Sequence, residues 1–201
     1  MIHKLQYITQ GETSDDHLEN IQKACVTGVS WVQLRLKNHD TKTILETAKK
    51  ARAITMSFQA KLIINDHYKI AKEIKADGVH LGKTDECPLK VRAFLGASFI
   101  IGGTANTLED CQILLDKKVD YIGLGPYQFT KTKKNLSPVL GIEGYKILLE
   151  ELQTKTPIIA IGGIALEDIS KIINTGIYGI AVSGAITHNL TSIAQFQEII
   201  N

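Results

Sequence analysis

Short apolar runs recur at regular spacing along the chain, and segments of helical periodicity lie between them. Most of the runs are too short for helices and are rich in Ile, Val and Tyr, which suit a buried strand. We therefore predict eight strands, at Leu5–Ile8, Trp31–Leu34, Leu62–Ile64, Gly78–Leu81, Phe99–Ile101, Tyr121–Leu124, Ile158–Ile161 and Gly179–Val182.

The intervening segments predict helices, because their apolar residues recur on one face, and Thr107 with Asp110 has the spacing of a capping box. The predicted helices are His17–Thr27, Thr41–Met56, His67–Ile74, Thr107–Leu115, Leu166–Ile173 and Ser192–Ile200. Alternating strands and helices indicate parallel strands joined by helices. Eight such units predict an α/β protein, a (β/α)₈ barrel of the TIM type formed by residues 1–201 as a single domain. Periodicity alone leaves a doubly wound open sheet as the alternative.

Composition and charge narrow the range of partners. Hydrophobic residues make up 44% of the chain and the formal net charge is +2, which predicts a buried core and excludes a general nucleic-acid binder. The three cysteines form no CxxC pair, which fits a reducing compartment. No apolar run reaches the ~18 residues of a membrane span, and the N-terminal segment turns polar too early for a signal peptide. We expect a cytoplasmic protein with no membrane partner; its oligomeric state stays open, a homo-oligomer included.

Polar residues that follow the strands are the first candidates for chemistry, because a parallel barrel carries its active site at the C-terminal ends of its strands. Gln33, Arg35 and Lys37 alternate onto one face after the second strand. A guanidinium fork and an ammonium group both suit phosphate oxygens. The alternative is a solvated strand end with two surface cations.

Two aspartates follow the third and fourth strands. Neighbouring strands lie ~4.8 Å apart, so Asp66 and Asp85 can converge on one cation. Two carboxylates together with water and substrate phosphates are typical of Mg²⁺. A second interpretation makes Asp66 the cap of the following helix, but it leaves Asp85 unexplained.

Hydroxyl groups and glycines follow the remaining strands. Thr104 comes after a glycine pair that we place beyond the fifth strand, and Gly125–Gly141 is a long basic segment in which Thr and Lys alternate. Long connections of this kind are usually functional, and a closing lid is one hypothesis. Glycine pairs let backbone N–H groups approach an anion, and the last two strands are the common phosphate site of barrels. The residues concerned are Thr104, Thr130, Thr132, Lys133, Gly162, Gly163, Ser183 and Gly184. Plain tight turns and a solvated loop are the alternatives.

The sequence contains no HExxH or GxSxG motif and no nucleophile–base pair. His80 lies within a predicted strand, where a core role is expected. The chemistry is therefore expected to rely on cations, Mg²⁺ and positioning. A diphosphate site beside a monophosphate site suggests a group transfer that expels pyrophosphate.

Over nearly its whole length the sequence resembles the thiamine phosphate synthase family. The motifs that carry the resemblance are Tyr7-Ile8-Thr9, Gln33-Leu34-Arg35-x-Lys37, Ile64-Asn65-Asp66, Gly78-Val79-His80-Leu81-Gly82-x-x-Asp85, Gly123-x-Gly125-Pro126, Thr130-x-Thr132-Lys133, Ala160-Ile161-Gly162-Gly163-Ile164 and Ala185-Ile186. The resemblance implies a (β/α)₈ barrel and a transferase. The enzyme would join hydroxymethylpyrimidine diphosphate to thiazole phosphate by a Mg-assisted dissociative substitution.

The resemblance also implies residue roles. It assigns the pyrimidine diphosphate to Gln33, Arg35, Lys37 and Asn65, and Mg²⁺ to Asp66 and Asp85. It assigns the thiazole phosphate to Thr130, Thr132, Gly162, Gly163, Ser183 and Gly184, and it brings Lys133 to the diphosphate. Arg35, Lys37 and Lys133 would be catalytic because they stabilise the charge of the leaving group. Thr104 stands where the family usually has Ser and keeps the hydroxyl.

Several positions depart from the family pattern. Lys83 stands at a usual Gln and adds a cation near the expected metal site, and Gly184 stands at a usual Ser. Leu36 replaces a usual Glu on the opposite face, and Gln128-Phe129 alters a usual Phe-Pro.

Three other functions stay open. A thiazole tautomerase-like isomerase of the same superfamily would carry a histidine where Pro126 stands. A non-catalytic phosphate-ligand sensor would be expected to lose the metal aspartates. An unrelated phosphate-binding barrel isomerase would need an acid–base pair.

Overall fold

The eight strands form a closed, all-parallel barrel in which each strand pairs with its neighbours in the chain and the last pairs with the first. The computed structural model describes residues 2–130 and 138–200. The strands are β1 Leu5–Ile8, β2 Trp31–Leu34, β3 Lys61–Asn65, β4 Gly78–Leu81, β5 Ile100–Ala105, β6 Tyr121–Leu124, β7 Ile158–Ile161 and β8 Gly179–Val182. The (β/α)₈ barrel is confirmed, and the open sheet is wrong. That one domain spans residues 1–201 stays a prediction.

The helices of the described residues cover the outside of the barrel. They are α1 Ser14–Val26, α2 Thr41–Ser57, α3 Tyr68–Glu73, α4 Pro88–Leu95, α5 Leu108–Asp116, α6 Gly141–Leu152, α7 Ile169–Ile173, α8 Gly184–Thr187 and α9 Ser192–Ile200. The segment predicted as one helix at Leu166–Ile173 is a 3₁₀ turn, Leu166–Asp168, followed by α7. Helix α1 begins earlier than predicted, because Thr13 and Asp16 form a capping box that precedes His17.

Strand β5 is longer than predicted, and the glycine pair Gly102-Gly103 lies inside it. A Cβ at Gly102 would lie 2.1 Å from Cζ of Tyr121, and one at Gly103 would lie 2.6 Å from Cδ2 of Leu114. These glycines therefore make room for side chains packed on either face of the strand. Their low strand propensity hid the strand's second half from the sequence pattern.

The barrel interior has a small apolar cluster of its own, separate from the larger core between strands and helices. Its buried members are Ile8, Trp31, Ile63, Tyr121, Ile159 and Ala181. Trp31 and Tyr121 meet edge to face with their ring centroids 5.0 Å apart. This cluster fills the barrel and forms the floor on which the cavity described below rests.

None of the helices within residues 2–130 and 138–200 has the length and the apolar character that a bilayer crossing requires.

Candidate active site

A cavity of about 540 Å³ opens at the C-terminal ends of the barrel strands. Every candidate residue that the structure describes lines it, from β2 round to β8. These residues are Gln33, Arg35, Lys37, Asn65, Asp66, Asp85, Thr104, Thr130, Gly162, Gly163, Ser183 and Gly184. Thr132 and Lys133 lie outside the described residues, as does most of the basic segment expected to act as a lid.

The two aspartates predicted to converge do so. Asp66 and Asp85 line the same cavity, and their carboxyl groups lie close enough to interact. Asp85 also accepts a hydrogen bond from the backbone N–H of Gly82 at 2.6 Å. Burial, followed by the contact with Asp66, raises the pKa of Asp85. Two carboxyl groups held this closely need a proton or a cation between them. Their oxygen donors suit a hard divalent cation such as Mg²⁺.

The alternative role for Asp66 as a helix cap is wrong. The residue that precedes α3 is His67, and its side chain makes no capping hydrogen bond among the described residues. Asp66 instead adopts a left-handed backbone conformation, with φ at 62°, at the end of β3. Its carboxylate lies 3.3 Å from the ammonium group of Lys37.

A hydrogen bond from its backbone N–H fixes the position of Arg35. Its N–H donates to Oγ1 of Thr9 at 3.1 Å, and Nδ1 of His17 lies 2.7 Å from the same oxygen. Burial lowers the pKa of Arg35, while the charge of Asp66 raises it. A guanidinium stays protonated at neutral pH, so Arg35 brings a permanent positive charge to the cavity wall.

Lys83, which departs from the family pattern, lines the same cavity as the acidic pair and forms an ion pair with a third carboxylate. Its ammonium group lies 2.7 Å from Oδ2 of Asp110, the residue that completes the capping box of α5. The extra cation is thereby tied to the start of this helix at the rim of the cavity.

The glycine-rich side of the cavity follows β7 and β8. Gly162 and Gly163 have φ values of 91° and 72°, which favour glycine. A Cβ at Gly163 would lie 2.8 Å from the carbonyl oxygen of Gln128, so this turn packs tightly on the segment after β6. At Gly184 the nearest atom to an added Cβ would be 3.6 Å away, so the structure has room for a side chain at this position.

Sequence reasoning missed two residues with direct parts in this architecture. Asn106, buried after β5, donates from its amide to the carbonyl oxygen of Gly125 and lines the cavity. The second residue is Gln10, whose Oε1 accepts a hydrogen bond from the hydroxyl of Ser183 at 3.3 Å. The position of Asn106 directly after a strand was the available signal, but it was hidden because β5 was predicted to end early.

The acidic pair has no further protein ligand for a metal among the described residues. Within the part of the chain that the structure describes, no group of three or more His, Cys, Asp or Glu side chains is arranged to hold a metal ion. Any cation here would therefore rely on Asp66 and Asp85 and take its remaining ligands from substrate and water.

Comparisons with known proteins agree with this geometry. A family model described as thiamine monophosphate synthase matches residues 5–186. The chain is 48% identical over 192 residues to a thiamine-phosphate synthase of Flavobacterium psychrophilum, covering 94% of this chain and 93% of the relative. It is 42% identical over 200 residues to a thiamine-phosphate synthase of Bacteroides fragilis, covering 98% of each. A solved thiamine phosphate pyrophosphorylase of Pyrococcus furiosus superposes with a TM-score of 0.85 at 28% identity, covering 98% of this chain and 95% of that one.

Proposed function

The chain belongs to the thiamine monophosphate synthase family, and on this premise we propose how its cavity performs the reaction. Its activity is that of a thiamine-phosphate synthase, a transferase. The substrates we assign to it are hydroxymethylpyrimidine diphosphate and thiazole phosphate, and the products are thiamine phosphate and pyrophosphate.

The diphosphate is proposed to bind where the cations meet the acidic pair. Arg35 and Lys37 supply positive charge on one side, and Asp66 and Asp85 supply the oxygen donors for Mg²⁺ on the other. Bound Mg²⁺ would supply Lewis-acid stabilisation of the charge that develops on the leaving pyrophosphate. The placement of Asp66 and Asp85 on one cavity wall with Arg35 and Lys37 is the observation that carries this assignment.

The substitution needs no nucleophilic side chain. The bond between the methylene carbon and the diphosphate oxygen breaks, and its electron pair leaves with pyrophosphate. The electron-rich aminopyrimidine stabilises the methylene cation, and the thiazole nitrogen then donates its lone pair to form the new C–N bond. Arg35 and Lys37 stabilise the leaving charge through hydrogen bonds, and the cavity walls hold the two substrates in line.

The thiazole phosphate is proposed to bind at the glycine-rich side, against Gly162, Gly163, Ser183 and Gly184. The hydroxyl of Thr130 lies on the same cavity wall. Thr132 and Lys133 are assigned to the two phosphate groups by the family pattern alone. The absent side chain at Gly184 leaves the thiazole pocket wider than a serine there would.

Pyrophosphate release tests the assignment, with the pyrimidine diphosphate, thiazole phosphate and Mg²⁺ each omitted in turn. Release that requires all three supports both the reaction and the metal. No release, with binding of thiazole phosphate alone, would favour the isomerase or the sensor.

Substitutions in the acidic pair test the metal ligands. Asp66→Asn and Asp85→Asn should each lower Mg²⁺-dependent turnover at least about 10- to 100-fold, because a ligand of the cation is lost. Their melting temperatures should hold or rise, since each change relieves the repulsion between two carboxyl groups. Asp15→Asn on the exposed side of α1 is the matched control and should keep full activity. Full activity in Asp66→Asn would show that the metal assignment is wrong.

We also propose that the protein works in the cytoplasm on small molecules, without nucleic acid or membrane partners. Cys25, Cys87 and Cys111 are all free thiols, and burial raises the pKa of Cys25 to about 11 and that of Cys111 to about 12. Free thiols suit a reducing compartment.

A further inference from the structure

A chain of hydrogen bonds crosses the barrel interior directly beneath the cavity. The amide nitrogen of Gln33 donates to Oε1 of Gln6 at 3.1 Å, and the amide nitrogen of Gln6 donates to the Tyr121 hydroxyl at 3.4 Å. That hydroxyl lies 2.9 Å from Nδ1 of His80, and Nε2 of His80 lies 2.9 Å from Oγ1 of Thr104. We call these five residues the buried relay. Its two ends, Gln33 and Thr104, both line the cavity.

The register of the barrel explains how the relay can form. Gly102 lies directly between His80 and Tyr121, since His80 pairs with Gly102 and Gly102 pairs with Tyr121 across β4, β5 and β6. A Cβ at Gly102 would lie 2.1 Å from Cζ of Tyr121, so any side chain there would displace the phenol ring. A Cβ at Gly123 would lie 3.1 Å from Cε1 of His80, so a second glycine makes room for the imidazole.

The relay has a direction. Burial raises the pKa of Tyr121 far above neutrality, so its side chain keeps its proton. The amide nitrogen of Gln6 can only donate to the Tyr121 oxygen, so among the described residues the acceptor within reach of the Tyr121 proton is Nδ1 of His80. An imidazole that accepts at Nδ1 carries its proton at Nε2 and donates to Thr104.

We propose that the buried relay fixes His80 as the Nε2–H tautomer and thereby makes the Thr104 hydroxyl a hydrogen-bond donor toward the cavity. At the other end, one N–H of the Gln33 amide donates to Gln6, which fixes the plane of the amide group, and the carbonyl oxygen of Gln33 is the acceptor that we assign to the ligand. The opposite direction of the relay would exchange these two roles. Tyr121 and Gln6 are therefore positioning residues, which act through His80 and Gln33 on the side chains that meet the ligand.

The consequence is orientation of the ligand. An occupant that presents a donor to Gln33 and an acceptor to Thr104 is favoured, and the reversed pattern leaves the buried carbonyl oxygen of Gln33 without a donor, which is costly. This consequence rests on the proposed function, since the pyrimidine diphosphate is the ligand whose orientation is set. The tautomer itself does not depend on the substrate.

The first test is side-chain ¹⁵N NMR of the histidines in the ligand-free protein, with the His80 signals identified by their loss in His80→Gln. We expect a neutral imidazole protonated at Nε2. A proton at Nδ1, or an imidazolium, would overturn the proposal, and the measurement needs no variant of Tyr121 to fold.

The second test removes the donor to Nδ1. In Tyr121→Phe, His80 should become a mixture of the two neutral tautomers. In Tyr145→Phe the single tautomer should persist, because that buried hydroxyl donates to the carbonyl oxygen of Leu124 and not to the relay. A His80 that stays wholly Nε2–H in Tyr121→Phe would show that Tyr121 does not set it.

The third test is a double-mutant cycle on substrate binding. Tyr121→Phe should raise the KM for hydroxymethylpyrimidine diphosphate about fivefold with kcat held within about twofold, as expected for loss of one ground-state hydrogen bond. Thr104→Val should bind the substrate more weakly than the wild type, and Thr104→Ser, which keeps the hydroxyl, should bind it more tightly than Thr104→Val does. The double variant with Thr104→Val should be no worse than Thr104→Val alone, because both changes interrupt one relay.

Together, these tests distinguish a failure of the relay proposal from a failure of the proposed function. Additive effects in the cycle would overturn the relay's role in binding. If wild-type protein neither bound nor turned over the pyrimidine diphosphate, the proposed function would fail, and the NMR result would still decide the tautomer.

Discussion

At the scale of single residues, a buried histidine supports the cation beside the acidic pair. His17 contacts the Thr9 hydroxyl, which accepts the backbone N–H of Arg35. Burial lowers the pKa of His17; the nearby His39 and Arg35 lower it further, while a hydrogen bond with Gly11 and the charge of Asp16 raise it. Below its ordinary pKa, the folded protein therefore resists a proton that the unfolded chain accepts.

The first prediction concerns pH and stability. The stability linked to a neutral His17 is fully present above a pH of about 6.5 and is lost as the pH falls toward the lower pKa of the folded state. His17→Gln keeps a polar partner for Thr9 but cannot titrate. Urea denaturation should show that its free energy of unfolding falls less between about pH 7 and pH 5 than that of the wild type.

Exposed His188 supplies the control, since His188→Gln should keep the wild-type pH dependence. Equal slopes for His17→Gln and the wild type would show that another group carries this pH dependence.

At the same scale, the sequence pattern predicted cavity residues that directly follow strands. It did not predict residues whose role depends on contacts between distant parts of the chain. Arg35 and Asp66 could be predicted because the end of a strand in a parallel barrel fixes where they point. His17 could not, because its role depends on Thr9, which lies on a different element. Lys83 lines the same cavity as the acidic pair, but its ion-pair partner could not be predicted, because Asp110 lies beyond α4 and β5, in the first turn of α5.

At the scale of elements, the start of α5 joins helix capping to the cavity rim. Thr107 Oγ1 accepts the N–H of Asp110, and the Asp110 carboxylate accepts the N–H groups of Asn106 and Thr107 as well as the ammonium of Lys83. One capping box thus orders the helix and the loop that carries Asn106 into the cavity wall.

The second prediction follows from this cap. Thr107→Ala should lower the free energy of unfolding by about 1 kcal/mol, because the first turn of α5 loses an acceptor. Thr107→Ser keeps the hydroxyl and should cost at most a few tenths of that. Chemical denaturation of the three proteins provides the comparison, and equal losses for both variants would mean that the hydroxyl is not the source of the effect.

This cap was predicted from the sequence, because a capping box is a local pattern that two residues define. The second half of β5 was not, because Gly102 and Gly103 lower its strand propensity for the benefit of partners far away in the chain. Gly102 also permits the contact between Tyr121 and His80. The residue that lowers the strand propensity of β5 is therefore the one that makes room for the buried relay.

At the scale of the whole molecule, two equivalent Asp–Arg ion pairs stabilise the end of the barrel opposite the cavity. Asp77, just before β4, accepts from Arg52 of α2 at 2.5 Å and from the N–H of Leu62 at 2.8 Å. Asp120, just before β6, accepts from Arg92 of α4 at 2.5 Å and from the N–H of Ile101 at 2.7 Å. Each device ties a helix to the N-terminal ends of two neighbouring strands.

The division of labour in barrels, with stability at the N-terminal face and chemistry at the C-terminal face, leads to the last prediction. Asp120→Ala leaves the N–H of Ile101 and the guanidinium of Arg92 without this acceptor. Because the ion pair is partly exposed, the loss should be modest, about 1 to 3 kcal/mol in the free energy of unfolding. The kcat and KM for pyrophosphate release should stay at wild-type values at temperatures where the variant is folded. Asp120→Asn, which keeps an acceptor oxygen for Ile101, should recover part of the stability. Unchanged stability together with reduced turnover would mean that the two ends of the barrel are coupled, and that the fastening at Asp120 acts on the site rather than on the fold.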